Sequence, residues 1–164
     1  PLIDLHRRLE PGTAGLGRFD IDIADLDEPF AIKLLRSELL RNESVVARFM
    51  REARAAARLR GQHVVRVHDV GRLPSNDPYM VMEYLHGNNL HDTLDRHGPL
   101  PIAHACRLIL QACEGVADAH AEGIVHRDLK LSNLVLTHLR DGRPCLKVLD
   151  FGLSKHEQLS EELT

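Results

Sequence analysis

The chain of 164 residues contains no tryptophan, few other aromatic residues and only three cysteines. Because Cys106, Cys113 and Cys145 are odd in number and lack paired spacing, a disulfide framework or a zinc site is not expected. Cys106 and Cys113 lie seven residues apart on a predicted helix, so they share a face, and we expect both to pack in the core. This cysteine usage fits a reducing cytoplasm.

Long apolar runs and a strong charge of either sign are also missing. No run approaches the roughly 18 apolar residues that indicate a transmembrane helix, and the N-terminus has no charged-then-apolar signal pattern. The net charge is −3, and hydrophobic and charged residues make up 43% and 27% of the chain. These values are typical of a globular domain with its own core. They give no indication of a nucleic-acid-binding or anionic-membrane surface.

Lysine is scarce, with 4 lysines against 17 arginines. The planar guanidinium of arginine does not replace the compact point charge of an ammonium group. Lysines that are kept against this preference therefore indicate positions at which an ammonium group is needed. Two of them, Lys33 and Lys130, fall within the motifs described below.

The first half of the chain predicts a small antiparallel sheet with one helix, which is an α+β pattern. Strands are predicted in this half at 2–9, 17–24, 30–35, 64–70 and 79–84. The strand at 17–24 shows the alternation of apolar and polar residues that is typical of a half-buried strand. An alanine- and arginine-rich helix is predicted over 43–60, closed by Gly61.

The second half is predominantly helical. Gly87-Asn88-Asn89 interrupts the pattern and predicts a hinge, and helices are predicted over 89–96 and 101–122. Pro101 suits the first turn of the long helix, and Gly123 ends it. The predicted apolar stripe of this helix consists of Leu108, Ala112, Val116 and Ala119. Two short strands follow, at 134–137 and 145–149.

The residues that carry chemistry lie just after the long helix. Six residues, Asp128-Leu129-Lys130-Leu131-Ser132-Asn133, contain a carboxylate, an ammonium and an amide, and a second carboxylate follows in Asp150-Phe151-Gly152. Phosphoryl transfer from ATP needs such a set, because the attacking hydroxyl, the moving phosphoryl group and Mg²⁺ each require a polar partner. This combination is the most specific signal in the sequence.

The run from Ile124 to Leu136, with its His126-Arg127-Asp128 core, resembles the catalytic loop of protein kinases, and Asp150-Phe151-Gly152 is similar to their metal-binding motif. The resemblance implies that Asp128 orients the substrate hydroxyl as a base and that Lys130 stabilises charge on the transferring phosphoryl group. It also implies that Asn133 and Asp150 hold Mg²⁺. Because its Asp-Leu-Lys-x-x-Asn arrangement resembles that of the serine/threonine members of the family, the resemblance implies serine or threonine acceptors rather than tyrosine.

The same family resemblance extends to the first half of the chain. Phe30-Ala31-Ile32-Lys33 resembles the family's Val-Ala-Ile-Lys strand, so Lys33 is expected to contact the α- and β-phosphates of ATP. Glu52, on the following helix, is the expected carboxylate partner of Lys33. Taken without the downstream motifs, Lys33 is better read as an ordinary edge lysine and Glu52 as a surface helix glutamate.

The resemblance also assigns an adenine pocket. Tyr79-Met80-Val81-Met82-Glu83-Tyr84-Leu85 resembles the strand that leads into the kinase hinge. Met82 is then the gatekeeper, and the Glu83 carbonyl and Leu85 N–H pair with the adenine edge. Ala31 and Val135 are expected to sandwich the ring, because a flat base needs an apolar slot with a few polar groups.

A glycine-containing turn stands where the family has its phosphate-covering loop. Glycines allow backbone N–H groups to approach phosphate oxygens closely. The resemblance assigns Gly12, Gly15, Gly17 and Phe19 to nucleotide binding. The pattern departs from the family's Gly-x-Gly-x-x-Gly-x-Val, since Ala14 replaces the middle glycine and Phe19 replaces the valine. A plain hairpin turn is the alternative for this segment.

Together these motifs are similar to those of the bacterial-type serine/threonine protein kinases. The resemblance implies a bilobal fold, with a small lobe of antiparallel sheet plus one helix over 1–84 and the opening part of a helical large lobe over 85–164, cut within the activation segment. Expected ligands are ATP, Mg²⁺ and a protein with a serine or threonine acceptor, and a second copy of the chain is an expected dimerisation or autophosphorylation partner. The parent is expected to be cytoplasmic or anchored through a region outside this chain. A catalytically inert ATP-binding or pseudokinase-like interaction module is the alternative function.

Overall fold

The computed structural model describes residues 3–9, 29–35 and 37–151. The predicted strand at 17–24, the glycine-containing turn before it and the residues after Phe151 lie outside the described residues. The chain divides into two compact units. The first contains the residues up to Leu59 together with Val65–Tyr84, and the second contains Arg60–Val64 and the residues from Leu85 onwards.

The first unit is built on a four-stranded antiparallel sheet. Its strands are β1 (Ile3–Leu9), β2 (Phe30–Leu35), β3 (Val67–Arg72) and β4 (Pro78–Glu83), in the spatial order β1-β2-β4-β3. The predicted strands at 2–9, 30–35 and 79–84 are confirmed. The strand predicted at 64–70 starts three residues later, because Val64 instead forms an isolated bridge with Val148 in the second unit.

The pairing of β2 with β4 shows which side chains share each face of the sheet. Directly paired residues point to the same side, and Ala31 pairs with Met82 while Lys33 pairs with Met80. The opposite face carries a buried apolar cluster of Phe30, Ile32, Tyr79 and Val81. Period-two alternation therefore places Ala31 and Lys33 on one face of β2 and the apolar cluster on the other.

Helix α1 (Glu43–Ala56) packs against β3 and β4. Asn42 caps it, because its Oδ1 accepts hydrogen bonds from the N–H groups of Ser44 and Val45 at 3.1 and 3.3 Å. The predicted end near residue 60 was wrong, and so was its closure by Gly61. The helix stops at Ala56, and the next residues turn so that Leu59 is buried at 2% exposure.

The second unit combines two helices with a three-stranded antiparallel sheet. The elements are β5 (Asn88–Asn89), α2 (Leu90–His97), α3 (Ile102–Ala121), β6 (Leu134–His138) and β7 (Pro144–Val148). The spatial order of the strands is β5-β6-β7. Both helices and both longer strands are confirmed within one or two residues of the predicted bounds.

Strand β5 includes two of the three residues Gly87-Asn88-Asn89, at which the sequence predicts a hinge. Asn88 and Asn89 pair with Leu136 and Val135 in β6, and the hinge stays a prediction. A Cβ atom on Gly87 would meet the carbonyl oxygen of Leu136, and this close approach is the reason that glycine stands there.

The buried face of α3 differs in part from the predicted stripe. Leu108, Ala112 and Ala119 are buried as predicted. The fourth buried position is Gly115 rather than Val116, which is only half-buried. Among the described residues no helix is long and apolar enough to cross a membrane.

The prediction that Cys106 and Cys113 pack in the core was wrong, since both are exposed. At about 100° per residue, the two cysteines lie on the side of α3 opposite to its buried face. The shared face inferred from their spacing is therefore the solvent-exposed one. Cys145, on β7, is buried.

Candidate active site

Three predicted catalytic residues meet in the loop between α3 and β6. Lys130 Nζ lies 2.8 Å from Asp128 Oδ2. Asn133 Nδ2 donates to the backbone carbonyl of Asp128 at 2.9 Å and lies 3.5 Å from Asp128 Oδ2. Asn133 is 8% exposed, whereas the Lys130 side chain is 55% exposed. The carboxylate thus lies between a buried amide on one side and a largely exposed ammonium on the other.

Asp150 is tied to the same loop through the backbone. The N–H of Leu149 donates to the carbonyl of Asn133 at 2.9 Å, so the end of β7 is fixed next to the loop. Asp150 has φ 62° and Arg127 has φ 64°. Positive φ values are uncommon in residues other than glycine and cluster at functional sites, where surrounding contacts hold the strained backbone.

His126 lies beside Asp128 in the same loop, and its position in the sequence alone did not predict a role for it. Its Nε2 lies 2.7 Å from the Leu149 carbonyl, and its Nδ1 lies 3.3 Å from the Asp128 N–H. These partners require the tautomer in which Nε2 carries the hydrogen and donates. The ring is 3% exposed and stacks at a tilt on Phe151, with centroids 4.8 Å apart. A histidine between apolar residues and the Arg-Asp pair was the signal for this role.

In the first unit, the predicted phosphate-binding lysine is buried on the sheet. Lys33 is 3% exposed on β2, opposite Met80. Glu52 is half-buried on α1 and borders the buried stripe formed by Phe49, Ala53 and Ala56. A nearly fully buried lysine requires polar partners, so its position on a strand face is consistent with a binding role.

The predicted adenine contacts are divided between the two units. Ala31 and Met82, both 3% exposed, face each other across β2 and β4. Glu83 is anchored to Arg66: its N–H donates to the Arg66 carbonyl at 2.9 Å, and its Oε1 accepts from the Arg66 N–H at 2.7 Å. Leu85 and Val135 belong to the second unit, where Val135 pairs with Asn89 and Lys147.

The structure therefore brings the predicted residues of the second unit together. Asp128, Lys130 and Asn133 contact one another directly, and Asp150 follows a residue bonded to Asn133. The predicted phosphate-covering loop lies outside the described residues. Its nucleotide-binding members are Gly12, Gly15, Gly17 and Phe19.

Comparison with protein families decides the identity of this arrangement. Residues 19–164 match the family described as protein kinase domain. The chain belongs to the protein kinase domain family. This result confirms the family resemblance that was inferred from the motifs.

Two curated relatives are bacterial serine/threonine-protein kinases. The chain is 39% identical over 145 residues to serine/threonine-protein kinase pkn3 of Myxococcus xanthus, and the aligned region covers 88% of this chain and 26% of that protein. It is 36% identical over 133 residues to PknB of Mycobacterium leprae, and the aligned region covers 79% of this chain and 21% of that protein. The kinase chain thus spans about a quarter or less of the length of these relatives.

Solved structures confirm the fold class. The kinase domain of Mycobacterium tuberculosis PknI matches with a TM-score of 0.69 and 28% identity, over 79% of this chain and 52% of that chain. Rad53 1-466, solved in complex with AMP-PNP, matches with a TM-score of 0.64 and 28% identity, over 77% of this chain and 32% of that chain. The kinase chain therefore has the α+β, kinase-like fold, with an antiparallel sheet and one helix followed by the first part of a helical lobe.

Proposed function

We propose that this chain forms the nucleotide-binding and catalytic-loop part of a protein kinase that transfers the γ-phosphoryl group of MgATP to serine or threonine hydroxyls of proteins. The observation that carries the proposal is the cluster of Asp128, Lys130 and Asn133, with contacts of 2.8 and 2.9 Å. Names of the curated relatives support the serine/threonine class.

Asp128 is proposed to act on the acceptor hydroxyl. Its carboxylate orients the hydroxyl oxygen toward the γ-phosphorus and accepts the hydroxyl proton, while the bond from the γ-phosphorus to the ADP oxygen breaks. Lys130 Nζ lies beside the same carboxylate and is exposed enough to move onto the oxygens of the transferring phosphoryl group. Phosphoprotein and ADP are the products.

The donor set fits a magnesium ion. Mg²⁺ prefers hard oxygen ligands and is usually held by one or two protein groups together with phosphates and water. Asn133 uses its Nδ2 to hold the Asp128 carbonyl, which leaves its Oδ1 as the atom for a cation. Asp150 supplies a carboxylate on a backbone fixed through Leu149. When bound, the ion neutralises charge on the phosphate oxygens.

The remaining predicted contacts are assigned to the nucleotide. Lys33 is proposed to bind the α- and β-phosphates, with Glu52 as the carboxylate that orients it. The adenine contacts are proposed to come from Ala31, Met82, Glu83, Leu85 and Val135. The phosphate-covering contacts are proposed to come from Gly12, Gly15, Gly17 and Phe19. On this assignment residues 1–84 act as the small lobe and 85–164 as the beginning of the large lobe.

Thermal unfolding with and without MgATP tests the nucleotide site. A ligand present at ~100 times its Kd stabilises the folded chain by about 2.7 kcal/mol, so a Mg²⁺-dependent rise in the melting temperature is expected. Lys33→Met and Asp150→Asn should abolish the rise, while Arg96→Gln, on the exposed face of α2, should leave it unchanged. A cooperative melt that MgATP does not move would contradict the proposed nucleotide site.

Phosphotransfer is tested separately, with γ-labelled ATP and a degenerate library of serine, threonine and tyrosine peptides. Label should appear on serine and threonine, and Asp128→Asn should reduce it by at least 10²-fold. Labelled tyrosine alone would overturn the assigned acceptor class.

An inert ATP-binding module remains the second candidate, and the specific observation in its favour is Ala14 in place of the middle glycine of the loop. The two experiments together separate the candidates. Mg²⁺-dependent stabilisation without any transfer of label would favour the inert module for this chain.

A further inference from the structure

A groove outside the proposed active site lies in the first unit, along α1 and the end of β3. Its volume is about 590 Å³, which is within the range of ligand pockets in proteins. The seven residues that line it are three apolar ones and four arginines: Ala47, Met50, Ala55, Arg51, Arg54, Arg58 and Arg72. Among the described residues that line this arginine groove, none is acidic.

The helix concentrates positive charge on one face. Arg51, Arg54 and Arg58 follow one another at spacings of three and four residues, so their side chains lie on the same side of the helix. All three are exposed, and within residues 37–151 no carboxylate forms an ion pair with them. Like charges at these spacings repel each other, so an anion bound among them would relieve an unfavourable arrangement.

The fourth arginine is held in place by a turn. Arg72 Nη1 donates to the backbone carbonyl of Asn76 at 2.8 Å. Asn76 adopts φ 71°, and the turn is closed by the Leu73 N–H, which donates to the Asp77 carbonyl at 2.9 Å. A guanidinium that is already ordered loses less conformational entropy when it binds an anion.

The composition of the groove indicates which anion it takes. Guanidinium groups match phosphate oxygens with two parallel hydrogen bonds. Met50 and the two alanines supply an apolar surface for a side chain next to the phosphate. Single-stranded nucleic acid is bound through aromatic stacking, and no aromatic residue lines the groove. An anionic bilayer also attracts clustered arginines, but its flat surface does not enter a concave groove as a protruding side chain does.

From these features we propose that the arginine groove is a docking site for a protein segment that carries a phosphorylated serine or threonine with an apolar residue beside it. None of the groove residues belongs to the proposed nucleotide or catalytic set, so the site does not depend on the proposed kinase activity. Arg51 immediately precedes Glu52 on α1, so a docked segment contacts the helix that carries the proposed partner of Lys33.

The test is selection from an oriented peptide library by the immobilised chain, without ATP or Mg²⁺. One library carries a central phosphoserine or phosphothreonine with degenerate flanks, and the matched library is unphosphorylated. We expect enrichment from the phosphorylated library only, with apolar residues selected next to the phosphate. The enriched peptides then serve as probes for fluorescence anisotropy.

Variants locate the site. Arg54→Gln with Arg58→Gln should weaken binding of the enriched phosphopeptide at least tenfold, because each lost charge-assisted hydrogen bond contributes about tenfold or more. The matched control, Arg96→Gln with Arg107→Gln, removes the same charge from exposed positions on α2 and α3 and should change Kd less than twofold. Arg54→Lys with Arg58→Lys keeps the charge but not the planar fork, and should also lose most of the preference for phosphate.

Three results would overturn the proposal. The first is equal enrichment from both libraries, or from neither. The second is equal loss of binding in the groove and control variants, which would mean diffuse attraction to net charge. The third is binding of phosphatidylserine vesicles or a single-stranded oligonucleotide that depends on Arg54 and Arg58 while phosphopeptides fail to bind. Circular dichroism of each variant verifies that the first unit is folded.

Discussion

Gly115 on α3 offers a sharp test of the packing in the second unit, because alanine is the better helix former and yet should destabilise the chain. A Cβ atom at this position would lie 2.5 Å from the carbonyl oxygen of His63 and 3.0 Å from its carbonyl carbon. That oxygen accepts a hydrogen bond from the Val148 N–H at 2.9 Å, and the His63 ring is anchored through Nδ1 to the Leu146 carbonyl at 2.8 Å. The neighbouring backbone therefore has little freedom to retreat.

The magnitude follows from two opposing effects. Replacing glycine by alanine inside a helix raises the free energy of unfolding by about 1 kcal/mol. Overpacking against fixed backbone lowers it by about 1–3 kcal/mol, and weakening the buried hydrogen bond between His63 and Val148 lowers it by about 1 kcal/mol more. The two destabilising effects together exceed the gain in helix propensity, so Gly115→Ala should destabilise the chain by about 1–3 kcal/mol.

Urea unfolding followed by circular dichroism measures this difference. Cys113→Ala, on the exposed face of the same helix, is the matched control and should change the free energy of unfolding by less than about 0.5 kcal/mol. A Gly115→Ala chain that is as stable as the parent, or more stable, would show that helix propensity outweighs the contact with His63. The packing of α3 against this loop would then be wrong as described.

Three further results are expected. His126→Phe should destabilise the chain by about 1–3 kcal/mol in the same urea assay, because the partly buried Leu149 carbonyl loses its donor; an unchanged midpoint would refute this. In an NMR titration the pKa of the Asp141 carboxyl should lie below its ordinary value, because the Arg143 N–H and then its side chain donate to it, and Arg143→Ala should raise it. The small stability contribution of this carboxylate is present above its ordinary pKa and is lost as pH falls through the lowered value. In the native chain an aromatic disulfide reagent should react quickly with the two cysteines of α3 and slowly with the cysteine of β7; equal rates would contradict the exposure of α3.

Local signals in the sequence were enough for most elements. Asn42 is a strong N-cap residue ahead of a periodic apolar stripe, and α1 begins at the predicted residue. The proposed catalytic cluster was equally readable, because Asp128, Lys130 and Asn133 lie within six residues. Side chains in so short a loop lie close together, and the contacts of Asp128 with Lys130 and Asn133 match this expectation.

Features that depend on distant partners were not readable. The two cysteines of α3 share a face, but only the position of β7 and of the loop at 60–64 decides that the opposite face is buried. Strand β5 is two residues long and exists only because β6 lies beside it. His126 acquires its role from the Leu149 carbonyl, 23 positions further along the chain. In each case the deciding contact comes from outside the local window of sequence.

The segment Arg60–Val64 has a consequence for how this chain can be divided. It lies between two elements of the first unit but groups with the second, so the polypeptide passes from one unit to the other after Leu59, Val64 and Tyr84. A single cut after Tyr84 would separate Val64 from Val148, with which it forms a β-bridge. It would also separate the His63 ring from the Leu146 carbonyl to which it is hydrogen-bonded. Gene fusion or recombination at that one junction would therefore not yield two independently folding modules. The two units are interleaved in sequence, and we expect them to be inherited, expressed and exchanged together.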